Sequence, residues 1–252
     1  MSKWLGVTAA SLLVAAGVGA MQEPVQAAEI IILASQGSIS GARDMAEGFA
    51  RASGHKVTAR QERDTMATIS AGTPADLAIA NPPVIDNLIK QGKVVGERVD
   101  WARAGIGVAV KAGAPKPPLR NSEDFVRMLR AAKSIGYSTA GSGLMVANII
   151  KRLGLTEELK DRTKFLDGFP AAEAVARGEV EIALQQINVI LPVAGAELAG
   201  PLPPELQQYN HFAVGVLAVS KEREAAAAMA RFMAAPENAA VLRKGGLEPP
   251  AR

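Results

Sequence analysis

The sequence predicts a two-lobed α/β protein in which each lobe is a mostly parallel sheet with helices on both faces. Apolar strand patterns alternate with amphipathic helix patterns along most of the 252-residue chain, which is typical of parallel sheets covered by helices. Two long apolar segments, near residues 104–111 and 211–219, bracket a second strand–helix block. Because the chain can cross between lobes at each segment, we expect a discontinuous first lobe at residues 28–103 plus 213–252. The second lobe is then residues 104–212.

The first lobe opens with three strands and three helices in alternation. Strands are expected at residues 29–33, 55–60 and 76–80, and helices at residues 40–53, 65–71 and 84–89. Ala42, Met45, Ala46 and Phe49 recur at helical spacing in the first helix, and Gly54 supplies its stop signal.

The second lobe repeats the alternation after a Pro-rich turn. Ser122 is expected to cap a helix, since serine favours that position. The remaining predicted elements are strands at residues 134–138, 164–166 and 181–186, and helices at residues 144–153 and 170–177. The Pro-rich segment 199–206 closes this block, a long strand follows at residues 211–220, and helices at 221–235 and 236–244 complete the chain.

The N-terminal segment, residues 1–27, has the pattern of a cleaved export signal. Lys3 gives the positive start, residues 4–20 are apolar or small, and Ala27 ends a small-residue cleavage site. A membrane anchor is the alternative, but the apolar stretch is short and interrupted by glycines. The chain has no cysteine, which excludes disulfides, thiolate metal sites and a lipid anchor on an N-terminal cysteine. We therefore expect an unanchored protein of the periplasm.

Composition and motifs argue against several functional classes. The net charge is only +3 and aromatic residues make up 4%, which does not fit the clustered basic and aromatic surface of nucleic-acid-binding proteins. His55 and His211 lie outside any zinc motif, and the sequence has no P-loop, GxGxxG or GxSxG pattern. A secreted hydrolase that uses Ser138 or Ser142 stays open as a minor alternative, although neither serine has a general base nearby in sequence.

Two loops at helix starts are candidate anion sites. LASQGSIS leads into the first helix, and YSTAGSG leads into the helix at residues 144–153. Each loop follows a strand and offers backbone N–H groups at the positive end of a helix dipole, which suits a bound anion. Small residues that only form tight turns and caps would give the same pattern. With one loop in each lobe, an anion between them could draw the lobes together.

The sequence after the export signal resembles the periplasmic molybdate-binding proteins, which are solute receptors of ABC importers. The most specific segments are AGTPADLAIA and RFMAAPENAAVLRKGGLEP, and the likeness extends through EIIILASQGSIS, RAGIGVAVKAGAPKP, AAKSIGYSTAGSG and VARGEVEIALQQ. The resemblance implies a type II periplasmic binding protein, with two α/β lobes that are joined by crossing strands and close on a small anion. It also implies a monomer that delivers its ligand to an inner-membrane ABC permease, without enzymatic activity, metal or cofactor.

The resemblance further implies which residues hold the anion. The donors are expected to be neutral: backbone N–H groups together with Ser and Gln side chains. The first lobe would contribute Gln36, Gly37 and Ser38. The second lobe would contribute Ser138, Ser142, Gly143, Gly168, Phe169, Gln185 and Gln186.

The chain departs from the molybdate-type pattern at two places. RQERD, residues 60–64, replaces a run of small residues, and Gln185–Gln186 replaces a tyrosine or similar donor. Arg63 in the site would suit a carboxylate, and glutamine would suit a ligand with C=O or OH groups. Alternatively, Arg63 pairs with Glu62 in solvent. The first ligand hypothesis is a molybdate- or tungstate-like oxyanion, and the alternative is a small organic di- or tricarboxylate.

Overall fold

The computed structural model describes residues 27–139 and 141–250, which form nine strands and ten α-helices. The predicted export signal lies outside the described residues, apart from its last position. The strands are β1 (Glu29–Ala34), β2 (Lys56–Gln61), β3 (Leu77–Ala80), β4 (Val94–Lys111), β5 (Ile135–Tyr137), β6 (Thr163–Phe165), β7 (Ile182–Gln186), β8 (Ala196–Pro201) and β9 (Tyr209–Leu217). The helices are α1 (Ile39–Ser53), α2 (Thr65–Ser70), α3 (Pro82–Lys90), α4 (Ser122–Ala131), α5 (Ser142–Arg152), α6 (Thr156–Leu159), α7 (Ala171–Ala176), α8 (Ile187–Ile190), α9 (Arg223–Ala234) and α10 (Ala239–Lys244).

The strands follow the order β2-β1-β3-β9-β4-β7-β5-β6, and β8 pairs with β4 beside this path. In the first lobe, β1 lies parallel to β2 and β3, and β9 lies antiparallel to β3 and β4. In the second lobe, β5 lies parallel to β6 and β7, and β4 lies antiparallel to β7 and β8. The α/β class is therefore confirmed, with three parallel strands in each lobe and antiparallel pairing at β4, β8 and β9.

The long strand β4 belongs to both lobes. Its first part, Val94 to Gly105, pairs with β9, and its second part, from Ile106 onwards, pairs with β7 and β8. The strand begins ten residues before the apolar segment that predicted it, because its first part carries charged side chains on a solvent-facing side. Arg98, for example, bonds there to Asp86 and Asp100. The lobe limits at residues 103/104 and 212/213 stay a prediction.

Helices cover both faces of each sheet, as predicted. In the first lobe, α1 and α9 bury Met45 and Met229 against one face, while α3 buries Leu88 against the other. In the second lobe, α4 and α5 bury Phe125 and other apolar side chains on one face, and α7 packs on the opposite face. Each lobe therefore has its own apolar core. Each fully buried large apolar side chain contributes about 1.5–3 kcal/mol to the stability of that core.

One local prediction was wrong, and one strand was not predicted. The N-cap of α4 is Asn121 rather than Ser122: its extended backbone places the side-chain oxygen to accept from the N–H of Asp124 at 2.9 Å. Asparagine caps as well as serine, and sequence alone does not separate adjacent candidates. The strand β8 has no counterpart in the sequence analysis: it begins at Ala196, its last three residues overlap the start of the Pro-rich segment, and it pairs along one side of β4. Proline is tolerated there because Pro201 stands at the end of this strand.

Within the described ranges 27–139 and 141–250, none of the helices has the length and apolar character needed to cross a bilayer.

A cavity where strand ends of both lobes meet

The predicted binding loops converge because they follow the carboxyl ends of parallel strands. The loop after β1 and the loop after β2 supply the first-lobe side, and the loops after β5 and β6 and the end of β7 supply the second-lobe side. Open α/β sheets place ligands beyond these strand ends, where the helix N-termini also point. One cavity of about 900 Å³ lies there, between the two sets of loops.

Nine of the eleven predicted site residues line this cavity. They are Gln36, Gly37, Arg63, Ser138, Ser142, Gly168, Phe169, Gln185 and Gln186. Ser38 and Gly143 do not line it. The structure thus brings the predicted set together, and the role of each residue in binding stays a prediction.

The loop before α1 turns tightly on Ser35. The carbonyl oxygen of Ser35 accepts from the backbone N–H groups of Ser38 and Ile39, both at 3.0 Å. The Ser38 hydroxyl is fully buried and also lies 3.2 Å from that carbonyl, which explains why it faces the turn rather than the cavity. Gln36 and Gly37 remain at the tip of the turn, on the cavity wall.

The loop before α5 depends on a close approach at Gly143. A Cβ atom added at this residue would overlap the carbonyl oxygen of Ser138, so only glycine fits where the first turn of α5 meets the loop. Gly141 has a φ of 54°, a left-handed conformation that favours glycine. Gly143 therefore packs against the loop without lining the cavity, while Ser138 and Ser142 line it.

The loop after β6 is tied to the loop before α5 by Asp167. One carboxylate oxygen accepts from the Thr139 N–H and the other accepts from the Thr139 hydroxyl, both at 2.8 Å. These hydrogen bonds, from the backbone first, hold the pKa of Asp167 below its ordinary value. The next residues, Gly168 with a φ of 90° and Phe169 beneath the Arg177 guanidinium, complete this wall.

The two glutamines at the end of β7 are both buried and differ in their partners. The carbonyl of Gln185 accepts from the N–H of Ala172 at 3.2 Å, which fixes that side chain against the first turn of α7. The carbonyl oxygen of Gln186 is buried and has no hydrogen-bond partner among the described residues. Just beyond, the amide of Asn188 donates to the carbonyl of Gly37 at 2.9 Å, a direct bond between the two lobes.

The RQERD segment places its charges differently from the alternative that paired Arg63 with Glu62. Glu62 accepts from Arg60 at 3.3 Å and from the Thr68 hydroxyl at 3.1 Å. Arg63 is exposed and lines the cavity, and no described carboxylate lies within 4.0 Å of its guanidinium. The pairing of Arg63 with Glu62 is therefore wrong, since Arg60 takes that role.

Several wall residues were not predicted. They are Ser35, Gln61, Asn81, Thr139, Gly141, Leu166, Asp167, Val189, Asn210 and Phe212. Asn81 follows β3, and its amide donates to the carbonyl of His211 at 3.1 Å, while Asn210 lies near the start of β9. An asparagine directly after a buried strand and before Pro-Pro was an available signal for Asn81. Asn210 carried no such signal, because its position depends on the pairing of β9 with β4.

The hydrolase alternative would need a general base near Ser138 or Ser142, and neither histidine of the chain lies at the cavity. Neither His55 nor His211 lines it, and His55 instead accepts from the N–H of Ala28 at 3.1 Å. Within the part of the chain that the structure describes, no group of three or more His, Cys, Asp or Glu side chains could hold a metal ion.

Comparisons with known proteins agree with this geometry. The family model of the bacterial extracellular solute-binding proteins matches residues 30–248. An aconitate isomerase from a Pseudomonas species is 28% identical over 229 residues, which cover 87% of each chain. The molybdate-binding protein ModA of Azotobacter vinelandii is 26% identical over 248 residues, which cover 93% of this chain and 96% of that protein.

The fold is similar to that of solved binding proteins. A periplasmic molybdate-binding protein structure from Azotobacter vinelandii aligns with a TM-score of 0.72 at 20% identity, and covers 88% of this chain and 100% of the other. This likeness supports the two-lobed arrangement. Together with the family match over nearly all described residues, it confirms the predicted relationship, and the chain belongs to the family of bacterial extracellular solute-binding proteins.

Proposed function

We propose that this protein is a periplasmic receptor that captures a small organic acid with two or three carboxylates and delivers it to an ABC permease. The family supplies the receptor role, and the departures at RQERD and at the end of β7 guide the choice of ligand. The molybdate-like oxyanion, our first hypothesis from sequence, becomes the competing ligand class. We expect the protein to act as an unanchored monomer with a cleaved export signal.

The observation that carries this proposal is the unpaired guanidinium of Arg63. It lies on the cavity wall without a carboxylate partner among the described residues, whereas Arg60 on the preceding strand is neutralised by Glu62. A guanidinium presents parallel N–H donors that match the two oxygens of a carboxylate. A ligand carboxylate therefore supplies the charge that the protein itself does not provide.

The size and chemistry of the cavity support the same ligand class. Its volume of about 900 Å³ is far larger than one tetrahedral oxyanion would fill, and falls in the range of small-molecule sites. Its wall carries amide side chains from Gln36, Gln61, Asn81, Gln185, Gln186 and Asn210. Amides both donate and accept, so their NH₂ groups can bind ionised oxygens of either ligand class, while their carbonyl oxygens can accept only from a ligand that also carries a donor such as the hydroxyl group of an organic acid.

Binding is proposed to stabilise the closed arrangement of the lobes. A carboxylate on Arg63 from the first lobe, with a second carboxylate at the N–H groups around Ser142 of the second lobe, would bridge the cavity. The bond from Asn188 to Gly37 already joins the lobes beside the cavity, and a bridging ligand would add a second connection between them.

The proposal is tested by thermal unfolding and calorimetric titration with a ligand panel. The panel contains citrate, aconitate, succinate and malonate beside molybdate, tungstate, sulfate and phosphate. A ligand at one hundred times its Kd should add about 2.7 kcal/mol of stability. Arg63→Ala should weaken carboxylate binding roughly 10- to 150-fold, the equivalent of a charge-assisted hydrogen bond worth about 1.5–3 kcal/mol.

Arg43→Ala in α1 is the matched control, since Arg43 is an exposed cation of the first lobe that does not line the cavity. It should leave carboxylate affinity within about twofold. A stability shift with molybdate and tungstate alone, unchanged by Arg63→Ala, would refute the organic-acid proposal and restore the oxyanion hypothesis.

A second candidate function is isomerisation of an unsaturated tricarboxylate, and the relative named aconitate isomerase favours it. Moving the double bond of aconitate requires a base that takes a proton from the saturated CH₂ and returns one to the former vinyl carbon, so that no atom is gained or lost. Glu62 is the candidate base on the cavity wall. Asp167 is less suited, because hydrogen bonds from Thr139 lower its pKa and weaken it as a base.

The two functions are separated by incubating the protein with trans-aconitate and measuring both isomers by chromatography. Formation of cis-aconitate by the wild type, and its loss in Glu62→Gln with binding retained, would establish the isomerase. Binding of trans-aconitate without conversion to cis-aconitate over many hours would refute the isomerase function and leave the receptor function as the conclusion.

A further inference from the structure

The amide of Gln186 occupies an unusual position for a buried polar group. The residue is 5% exposed, lies on the cavity wall, and is the last residue of β7, where it pairs with Ile106 of β4. Its carbonyl oxygen is shielded from solvent and lacks a hydrogen-bond partner among the described residues. Buried acceptors are almost always satisfied, because leaving one unpaired costs free energy.

Within the described ranges, the surroundings of this oxygen supply no hydrogen bond to it. It rests against Gly37 of the other lobe, where a Cβ atom would lie only 2.7 Å away, so the surface facing it is a bare Cα. The neighbouring Gln185 differs, because its carbonyl oxygen already accepts a hydrogen bond from the N–H of Ala172. Only its NH₂ group is then available to a ligand. The end of β7 thus combines one glutamine committed as an acceptor to the backbone with one glutamine whose acceptor is unused.

The missing donor can come from the ligand. The terminal torsion of a glutamine side chain has broad rotational freedom, so the Gln186 oxygen can turn from Gly37 towards the cavity that the residue lines. An ionised carboxylate or a fully ionised oxyanion has no hydrogen to offer at neutral pH, whereas a hydroxyl group donates one. We infer that Gln186 accepts a hydrogen bond from a ligand hydroxyl, and that the preferred ligand is a hydroxylated di- or tricarboxylate. This inference rests on the proposed function and narrows its ligand class.

The test compares pairs of acids that differ only by one hydroxyl group. Malate is paired with succinate, and citrate with tricarballylate, and each Kd is measured by calorimetric titration of the protein purified from cells that express the full chain. At least one hydroxylated acid should bind about tenfold more tightly than its partner. In Gln186→Met, which keeps an unbranched side chain of similar length and removes the amide, that ratio should fall within about twofold.

Two further variants locate the effect. Gln185→Met should weaken both members of a pair alike and preserve the tenfold ratio, because its carbonyl is not available to the ligand. Gln186→Glu keeps an acceptor at the same place, so it should preserve the ratio while repulsion between carboxylates lowers both affinities. Circular dichroism checks that each variant is folded. If a variant does not fold, the affinity ratio of the wild type for each pair of acids still tests the preference for a hydroxyl group.

The outcomes separate this inference from the proposal beneath it. Equal affinities within both pairs for the wild type would overturn the inference and leave an organic-acid receptor. A ratio that survives Gln186→Met would assign hydroxyl recognition to another residue and overturn the role of Gln186. Binding of molybdate with no measurable binding of any carboxylate would overturn the proposed function, and the inference with it.

Discussion

Replacing Gly143 with alanine should destabilise the protein and disturb its cavity. In an ordinary helix interior, alanine in place of glycine adds up to about 1 kcal/mol of stability. Here the new Cβ would overlap the carbonyl oxygen of Ser138 and lie 2.5 Å from its carbonyl carbon. Because these are backbone atoms, the loop itself must move, and no flexible side-chain end can absorb the contact.

The size of the effect follows from two opposing contributions. Overlap with backbone atoms belongs to the upper part of the overpacking range, about 2–3 kcal/mol, against a helix gain of at most about 1 kcal/mol, so the net loss is about 1–2 kcal/mol. For a chain of this length each kcal/mol lowers Tm by about 2–4 °C, and Tm should fall by about 2–8 °C. Ligand affinity should fall on the order of tenfold, because displacement of Ser138 and Ser142 costs about one hydrogen bond.

Scanning calorimetry and calorimetric titration measure the two effects. Gly48→Ala in α1 is the matched control, because its Cβ would meet only the ring edge of Phe232, at 3.3 Å, and a side chain can shift there. The control should keep its Tm or raise it. An unchanged or higher Tm in Gly143→Ala would refute the argument that the loop before α5 packs on a bare glycine.

Three further predictions concern pH, lobe contact and salt. Since the pKa of Asp167 lies below its ordinary value of 3.8, its stabilising effect is complete above about pH 4 and is lost as pH falls through the lowered pKa; Asp167→Asn should therefore have a lower Tm than the wild type at pH 7, and a difference that does not shrink towards pH 3 would contradict this. Asn188→Ala removes the bond to the Gly37 carbonyl and should lower stability by about 1–3 kcal/mol while it enlarges the radius of gyration of the ligand-free protein in small-angle scattering; an unchanged radius would refute its role between the lobes. Raising NaCl from 50 to 500 mM should weaken ligand binding less than about tenfold, because salt screens the contact with the exposed Arg63 but screens the neutral donors of the buried residues little, and a larger loss in calorimetric titration would contradict the share assigned to those neutral donors.

The local parts of the site were predictable from sequence because they depend on neighbouring residues. Small residues between a strand and a helix marked Gln36, Gly37, Ser138 and Ser142, and these residues line the cavity. The same pattern could not distinguish residues that line the cavity from residues that only hold the loop in position. Gly143 does not line the cavity, because it is the residue through which the first turn of α5 packs against the loop.

The long-range parts were not predictable in the same way. Asn210 and Phe212 enter the wall only because β9 inserts between β3 and β4, a pairing between residues more than one hundred positions apart. The early start of β4 was missed since its solvent-facing side chains are charged and hide the strand. The freedom of Arg63 was also invisible, because three acidic or basic neighbours in RQERD allow several pairings and only the structure assigns Glu62 to Arg60.

The sharing of β4 limits how this protein can be divided or rebuilt. The strand is the last strand of the first-lobe sheet, beside β9, and an interior strand of the second-lobe sheet, between β7 and β8. A gene fragment that encodes either lobe alone must include part of this strand and would leave the other sheet with an open edge. We therefore expect the two lobes to fold as one unit, and exchange of lobes between relatives to succeed only where the break falls outside β4.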